Sequence, residues 1–134
     1  MATEGLITIR SGHGSEETMN RLEAEVRAKG MTVFAHIDHA AGAAAVGLAL
    51  RPTDLLIFGN ANGGTPLMQS VQTIGIDLPL KALVWQDASG AIWLSYNDPH
   101  FLAERHGLDD ATKAAIETMS AALKAIATKA TATP

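Results

Sequence analysis

Hydrophobic and polar positions follow two periods along the chain, and together they predict ten elements in the order βαβαβαββαα. Alternation over short runs predicts strands at residues 5–10, 31–39, 53–59, 81–86 and 91–96. Apolar residues three or four positions apart, between caps and glycine or proline stops, predict helices at 15–30, 40–50, 65–75, 98–107 and 109–128. The tail from Thr128 to Pro134 is expected to fray. No internal repeat or linker interrupts this order, so residues 1–134 are expected to form one domain.

Three local patterns decide where functional groups are expected. The continuous apolar run from Leu55 to Phe58 is typical of a strand buried on both faces, and it is the candidate central strand. The four residues from Asp87 to Gly90 join two β-rich segments with turn chemistry, which predicts a hairpin. Alternation in the second strand separates two sets of side chains, Val33, Ala35 and Ile37 on one face and Phe34, His36 and Asp38 on the other.

A glycine-rich segment, Gly59-Asn-Ala-Asn-Gly-Gly64, follows the third strand and precedes Thr65 and Pro66, which are predicted to cap and open a helix. Backbone N–H groups at such a connection suit an anion or a polar small molecule. The segment lacks both the Walker lysine and the Gly-x-Gly-x-x-Gly fingerprint. Ligand contact is therefore predicted for Asn60, Asn62, Gly63, Gly64 and Thr65. The alternative is a plain strand-to-helix connection in which glycine and asparagine adopt positive φ.

A His-x-Asp-His cluster, formed by His36, Asp38 and His39, lies at the end of the second predicted strand. Strand geometry places His36 and Asp38 about 6 to 7 Å apart on one face. This arrangement suits a histidine base oriented by a carboxylate, so both are candidate catalytic residues. His36 and His39 are weaker candidates for metal ligands, because the cluster lacks the spacing of known zinc motifs. Polar surface is the alternative for all three.

Further candidate ligand residues lie in the last two predicted strands. Lys81 begins an otherwise apolar strand, so its ammonium group must reach solvent, pair with a carboxylate or bind a ligand. Tyr96 and Trp85 could line a pocket, although large aromatic residues in hairpins more often belong to a core or a dimer interface. Asp98 followed by Pro99 is first of all a helix cap.

Composition and charge exclude several classes of function. Hydrophobic residues make up 47% of the chain and aromatic residues 4%, which indicates a filled, aliphatic core. The net charge of -4 without a run of lysine or arginine argues against nucleic-acid and membrane partners. The count of zero cysteines excludes disulfides, thiolate metal sites and a cysteine nucleophile. We expect no cofactor. With no basic leader and no long apolar window, we expect a cytoplasmic location.

Several separate blocks stand in the order found in one known family. They are Ser15-Glu-Glu-Thr-Met19, Phe34-Ala-His-Ile-Asp-His-Ala-Ala41, Leu50-Arg-Pro-Thr-Asp-Leu-Leu-Ile-Phe-Gly-Asn60, Gly64-Thr-Pro-Leu-Met-Gln69, Asp77-Leu-Pro-Leu-Lys81, Val84-Trp85 and the stretch 93–99. With these blocks, residues 5–108 closely resemble the uncharacterised, mainly bacterial and archaeal family catalogued as domain of unknown function 302. The helix predicted at 109–128 follows this family-like core.

The resemblance implies a small two-layer α+β domain that associates as a homodimer, and it implies no established reaction. We expect a mixed, mostly antiparallel sheet of about five strands with helices packed on one face. This chain departs from the family at Ala61, where the family usually has proline after Gly59-Asn60. Alanine restores a backbone N–H and frees a φ angle, so a more mobile connection is expected here.

Three functions remain open from the sequence. The favoured one is a homodimeric module that binds a small polar or anionic ligand near the Gly59–Gly64 segment, His36 and Lys81. The second is a small enzyme that uses His36 and Asp38 as an acid–base pair. The third is a structural or protein-interaction dimer held by the hairpin and the last helix. The sequence contains a segment suited to binding a ligand but no recognisable set of catalytic residues, which favours the binding module.

Overall fold

A five-stranded antiparallel sheet with helices on one face forms the domain in the computed structural model, which describes residues 3–133. The strands are β1 (Leu6–Arg10), β2 (Thr32–Asp38), β3 (Thr53–Gly59), β4 (Leu80–Gln86) and β5 (Ile92–Asn97). The helices are α1 (Ser15–Ala28), α2 (His39–Ala45), α3 (Ala61–Ser70), α4 (Pro99–His106) and α5 (Lys113–Thr131). Short 3-10 helices span Gln72–Ile76 and Asp110–Thr112. The predicted order of strands and helices and the α+β class are confirmed.

The strands lie in the order β1-β5-β4-β3-β2, and every neighbouring pair is antiparallel. The prediction that β3 is central is wrong, because β4 occupies the middle position. The apolar run of β3 is also divided between two environments. Leu56 and Phe58 are fully buried under the helices, whereas Leu55 and Ile57 point to the opposite face and are half-buried. Helices cover only one face, so a continuous apolar run does not here mean burial on both faces.

Helices α1 and α5 supply the main cover of the sheet. Leu22 and Val26 of α1 and Leu123 and Ile126 of α5 are buried in one cluster with the inward side chains of the strands. Each pair is spaced at three or four residues, so both members lie on the inner side of their helix. A second cluster joins α3, α4 and the start of α5 through Leu67, Ile74, Leu102 and Ile116. The sheet is thus closed by helices on one side and carries none of this core on the other.

Helix α5 continues to Thr131, so the predicted fraying from Thr128 is wrong for residues 128–131, and Pro134 lies outside the described residues. Ala130 is fully buried and Thr131 is buried. The Gly12 amide donates to the Thr131 carbonyl at 2.9 Å, which ties this end to the segment between β1 and α1. Burial of small side chains, which sequence alone gives no reason to expect at a terminus, extends the helix to Thr131.

The hairpin predicted between β4 and β5 is confirmed, and Asp87 organises its turn. One carboxylate oxygen accepts hydrogen bonds from the amides of Ser89 and Ala91 at 2.9 and 3.0 Å and from the Ser89 hydroxyl at 2.7 Å. The other accepts from the indole N–H of Trp93 at 2.8 Å. These donors, first Trp93 and then Ser89, lower the pKa of Asp87 from 3.8 to about 2. Hydrogen bonding to the charged form therefore stabilises the turn.

We expect the acid sensitivity of folding to reside partly in this carboxylate. The folded pKa lies below the unfolded value, so Asp87 contributes stability above pH 3.8 that is lost as the pH falls towards about 2. Thermal melts followed by circular dichroism should show a lower melting temperature for Asp87→Asn at neutral pH and a smaller further loss between pH 4 and pH 2. Glu4→Gln removes an exposed carboxylate that lies at the end of the sheet remote from the Asp87 turn, and it is the matched control. Equal acid-induced losses in Asp87→Asn and the native chain would contradict this role.

Candidate functional site

A cleft of about 570 Å³ opens beside the first turn of α3, on the side of the sheet that the helices cover. Met31 and Phe34 line it from the β2 side, and Met68 and Leu78 line it from α3 and the segment that leads into β4. Helix α5 forms the facing wall with four small or polar residues and one methionine, namely Ala114, Ala115, Thr118, Ala122 and Met119. Small side chains on α5 leave room that larger ones would fill, so the cleft follows directly from the sequence of that helix.

The polar rim of the cleft is the first turn of α3. The helix begins at Ala61 because the side chain of Asn60 caps it, accepting from the Gly63 amide at 2.6 Å. The prediction that Thr65 caps the helix with Pro66 in first position is therefore wrong by five residues. The Gly59–Gly64 segment is mostly helix rather than loop. A capping asparagine outweighs the low helix propensity of the glycines that follow.

Two backbone features of this turn are open to a ligand. The first N–H groups of any helix have no partner within the helix, and Ala61 and Asn62 occupy those positions here. Pro66 lies inside α3 and has no N–H to donate to the Asn62 carbonyl four residues earlier. The rim thus presents both donors and an acceptor next to an apolar wall.

Five sequence-predicted ligand residues meet at this cleft, which is lined by Asn60, Asn62, Gly63, Gly64 and Thr65. None of the described residues lining it carries an ionisable side chain. Acid–base catalysis needs a titratable group within hydrogen-bond reach of the substrate. The side chains of the cleft are consequently suited to binding rather than to proton transfer.

His36 lies away from the cleft and pairs with a carboxylate that the sequence pattern did not single out. Its Nε2 atom is 3.0 Å from Asp54 Oδ1, whereas Asp38 caps α2 by accepting from the Ala41 amide at 2.8 Å. The expected pair of His36 with Asp38 is not formed, because helix α2 starts directly after Asp38 and uses its side chain. The His36 side chain is 42% exposed. An exposed pair of this kind contributes little to stability.

A bulge in β2 changes which side chains share a face. Val33 lies opposite Phe58 and His36 lies opposite Leu56, so both point to the covered side, and the register shifts between Val33 and Ala35. The prediction that Val33 shares a face with Ala35 and Ile37 is therefore wrong. The extra residue of a bulge reverses the alternation, and a pattern of apolar positions does not reveal it.

The other candidate residues of the sequence lie apart from the cleft. Lys81 is on the open face of the sheet and donates to the Pro79 carbonyl at 3.1 Å. Tyr96 is buried in the main core, where burial and then the charge of Asp98 raise the pKa of its hydroxyl. His39 is the exposed first residue of α2. Within residues 3–133 no group of three or more histidine, cysteine, aspartate or glutamate side chains is placed to hold a metal ion.

A polar cluster that sequence reasoning missed joins the 3-10 helix Gln72–Ile76 to the end of α4. The imidazole of His106, only 8% exposed, lies 2.6 Å from Asp77 Oδ2 and 3.1 Å from the Thr73 hydroxyl. Arg105 donates to both oxygens of Asp77 at 3.0 and 2.9 Å. No local sequence motif predicts this cluster, because Arg105 and His106 lie 28 and 29 residues after Asp77 in the chain. It connects the segment below the cleft to α4 through hydrogen bonds that are partly buried at His106 and exposed at Arg105.

Comparisons with known proteins agree on the fold and say little about activity. Residues 7–126 match the family described as "Domain of unknown function DUF302", so the match includes most of α5. A crystal structure of an uncharacterised conserved DUF302 protein from Bacillus stearothermophilus superposes with a TM-score of 0.84 at 22% identity, covering 96% of this chain and 99% of that chain. That likeness shows the shared fold alone.

Curated relatives of this chain carry a functional name. The proteins named "Fluoride-specific ion channel FluC 1" from Brucella suis and Brucella abortus are each 50% identical to this chain over 115 residues, which is 86% of the chain. The chain spans less than half of their length, 45% and 43% respectively. Among residues 3–133, no helix has the length and apolar character needed to cross a membrane.

Proposed function

The chain belongs to the DUF302 family, which has no assigned activity, and we propose from its cleft that it is a homodimeric binding module for a small molecule with an apolar body and a polar or anionic end. The observation that carries this proposal is a cleft of about 570 Å³ with an apolar wall and one helix turn as its polar rim. Small-molecule sites in proteins commonly have volumes of about 300 to 1,000 Å³ and this division of apolar and polar groups.

The apolar body of the ligand is expected to lie against methionine and phenylalanine. Three of the five methionines of the chain, Met31, Met68 and Met119, line the cleft. Thioether side chains are flexible and polarisable, and they make favourable contacts with aromatic rings. Phe34 is 56% exposed at the same cleft, an unusual degree of exposure for an aromatic strand residue. A flat apolar ligand would cover this ring.

The polar end of the ligand is expected to meet the first turn of α3. Its free N–H groups and the positive end of the helix dipole favour a carboxylate, sulfonate or carbonyl oxygen. Ala61 contributes an N–H that proline, the usual family residue at this position, does not have.

We also propose the cytoplasmic location expected from the sequence.

Filling the cleft should weaken binding of an amphipathic probe. Ala114 lies on the cleft wall and Ala121 lies outside the lining, and both are exposed on α5. We expect Ala114→Phe to weaken binding of the fluorescent probe 8-anilinonaphthalene-1-sulfonate at least about tenfold, or about 1.4 kcal/mol, and Ala121→Phe to leave it unchanged. Fluorescence titration measures both, with near-ultraviolet circular dichroism to show that each variant is folded. Equal affinities in folded Ala114→Phe and Ala121→Phe would remove the cleft as the site.

The contribution of the helix turn can be isolated by Ala61→Pro. Proline is favoured at the first position of a helix, and Asn60 before it is already extended, so this change should not disturb the fold. Loss of one N–H to a charged group should weaken binding of the anionic probe about tenfold. The uncharged N-phenyl-1-naphthylamine should bind equally well to both proteins. A parallel loss for the two probes would show that the turn does not recognise the anionic end.

A second candidate function rests on the Brucella proteins that match this chain at 50% identity over 115 residues and are named fluoride-specific ion channels. We propose as the alternative that this domain acts beside a fluoride channel and modulates its opening. In this case the cleft would be the effector site of the channel partner. The α+β domain would then be a regulatory part of an assembly rather than an independent binding protein.

Fluoride efflux from liposomes tests the channel hypothesis. The Brucella suis protein would be reconstituted whole and without the 115 residues that match this chain. Removal should shift the fluoride dependence of efflux at least about fivefold, the low end of allosteric coupling, and addition of the present chain should restore it. Adding the Ala114→Phe or the Ala121→Phe variant in place of the native chain compares a filled cleft with an unchanged one. Identical efflux with and without the segment would exclude this function and leave the cleft proposal untouched.

A further inference from the structure

Within residues 3–133 no helix covers the side of the sheet opposite the core, and we call this apolar side the outer face. The register of the strands places seven large apolar side chains on it, namely Leu6, Ile37, Leu55, Ile57, Leu83, Trp85 and Trp93. None of the seven belongs to the buried core. Contiguous apolar patches of this kind on soluble domains mark interaction surfaces.

Both indole N–H groups on the outer face already have hydrogen-bond acceptors, and besides Lys81 this face carries the cation Arg10, which lies opposite Trp93 at the β1 edge. The indole N–H of Trp85 donates to the Ser95 hydroxyl at 2.9 Å, and that hydroxyl is 2.8 Å from the hydroxyl of Thr8. The indole N–H of Trp93 donates to Asp87 at 2.8 Å. A partner can therefore cover these groups without leaving a donor unsatisfied, which removes the main cost of burying a polar group.

The arrangement of charge and aromatic rings on β4 is complementary to itself. Lys81 and Trp85 lie on either side of Leu83 on this middle strand, and all three point to the outer face. A two-fold axis that lies between two packed sheets and crosses β4 above Leu83 would place each lysine over the partner's indole pair. In that pair Trp85 and Trp93 stack with centroids 6.2 Å apart. Ammonium groups are attracted to tryptophan faces. Each copy thus supplies both halves of the contact, as a two-fold interface requires.

We propose that the outer face is the interface of a homodimer of this chain, packed face to face about a two-fold axis at Leu83. The outer face would then be the surface through which the homodimer of the proposed function forms. It does not depend on the ligand, because the cleft lies on the other side of the sheet. Lys81, which the sequence indicated as a ligand residue, becomes an interface residue.

The size of the face sets the strength expected of the dimer. Five strands about 4.8 Å apart and about 20 Å long make a face of roughly 500 Å². Stable interfaces commonly bury about 800 Å² on each partner. The dimer is therefore expected to dissociate on dilution rather than to be obligate.

Sedimentation velocity over about 1 to 300 µM tests the proposal. The native chain should pass from monomer to dimer, and Leu83→Glu should weaken association at least about a hundredfold by burying an unpaired carboxylate on each side. Leu48→Glu changes another leucine, which is 66% exposed and lies outside the sheet, and should leave association unchanged. Lys81→Gln should weaken it about tenfold through loss of the cation over the indoles.

A chemical cross-link locates the axis and remains informative if Leu83→Glu does not fold. The chain has no cysteine, so Leu83→Cys and Leu48→Cys each introduce a single thiol. A short bismaleimide should join two Leu83→Cys chains, because packed sheets lie about 10 Å apart, and should not join Leu48→Cys chains. A monomer at every concentration, or cross-linking at Leu48→Cys instead of Leu83→Cys, would overturn the proposal. Probe binding by monomeric Leu83→Glu would show that the cleft hypothesis stands separately.

Discussion

Packing of α1 and α5 against one face of the sheet is the interaction on which the rest of the structure depends. Leu22, Val26, Leu123 and Ile126 enter a single buried cluster with the inward side chains of β1 to β5. Burial of such aliphatic side chains stabilises a fold by about 1.5 to 3 kcal/mol each. Because the helices of residues 3–133 pack on only one face of the sheet, the apolar residues of the opposite face have no helix over them. The two surfaces of functional interest therefore have one origin.

The cleft is the place where this cover is incomplete. Helix α5 carries large residues where it meets the sheet, but apart from Met119 only alanine and threonine where it lines the cleft. Because Asn60 caps α3, the helix begins at Ala61, and the glycine-rich segment forms its first turn. The cluster of His106, Asp77 and Thr73 holds the following segment against α4. Small residues on one wall and a cap on the other together produce an apolar space with a polar rim.

The separation of His36 from the cleft shows how local motifs mislead. A His-x-Asp spacing on a strand suggests an acid–base pair, but Asp38 is more strongly required as the cap of α2. The partner of His36 is Asp54, which lies on the neighbouring strand. Conversely, Asp77 and His106 form a close pair with no motif between them. Side chains that meet across the sheet or between helices are set by packing, which a local pattern does not record.

The sequence by itself determined the order of elements, the family and the hairpin, because hydrophobic periodicity, turn residues and caps act over a few neighbouring positions. It also placed Asn60, Asn62, Gly63, Gly64 and Thr65 together, since these residues are adjacent in the chain. Only the tertiary structure decided that β4 is central, that a bulge turns Val33 inward and that α5 stays helical to Thr131. Only it showed which face of β4 carries Lys81. These features depend on strand register and on contacts between residues far apart in sequence. A pattern of neighbouring residues does not report how strongly such distant contacts stabilise the fold.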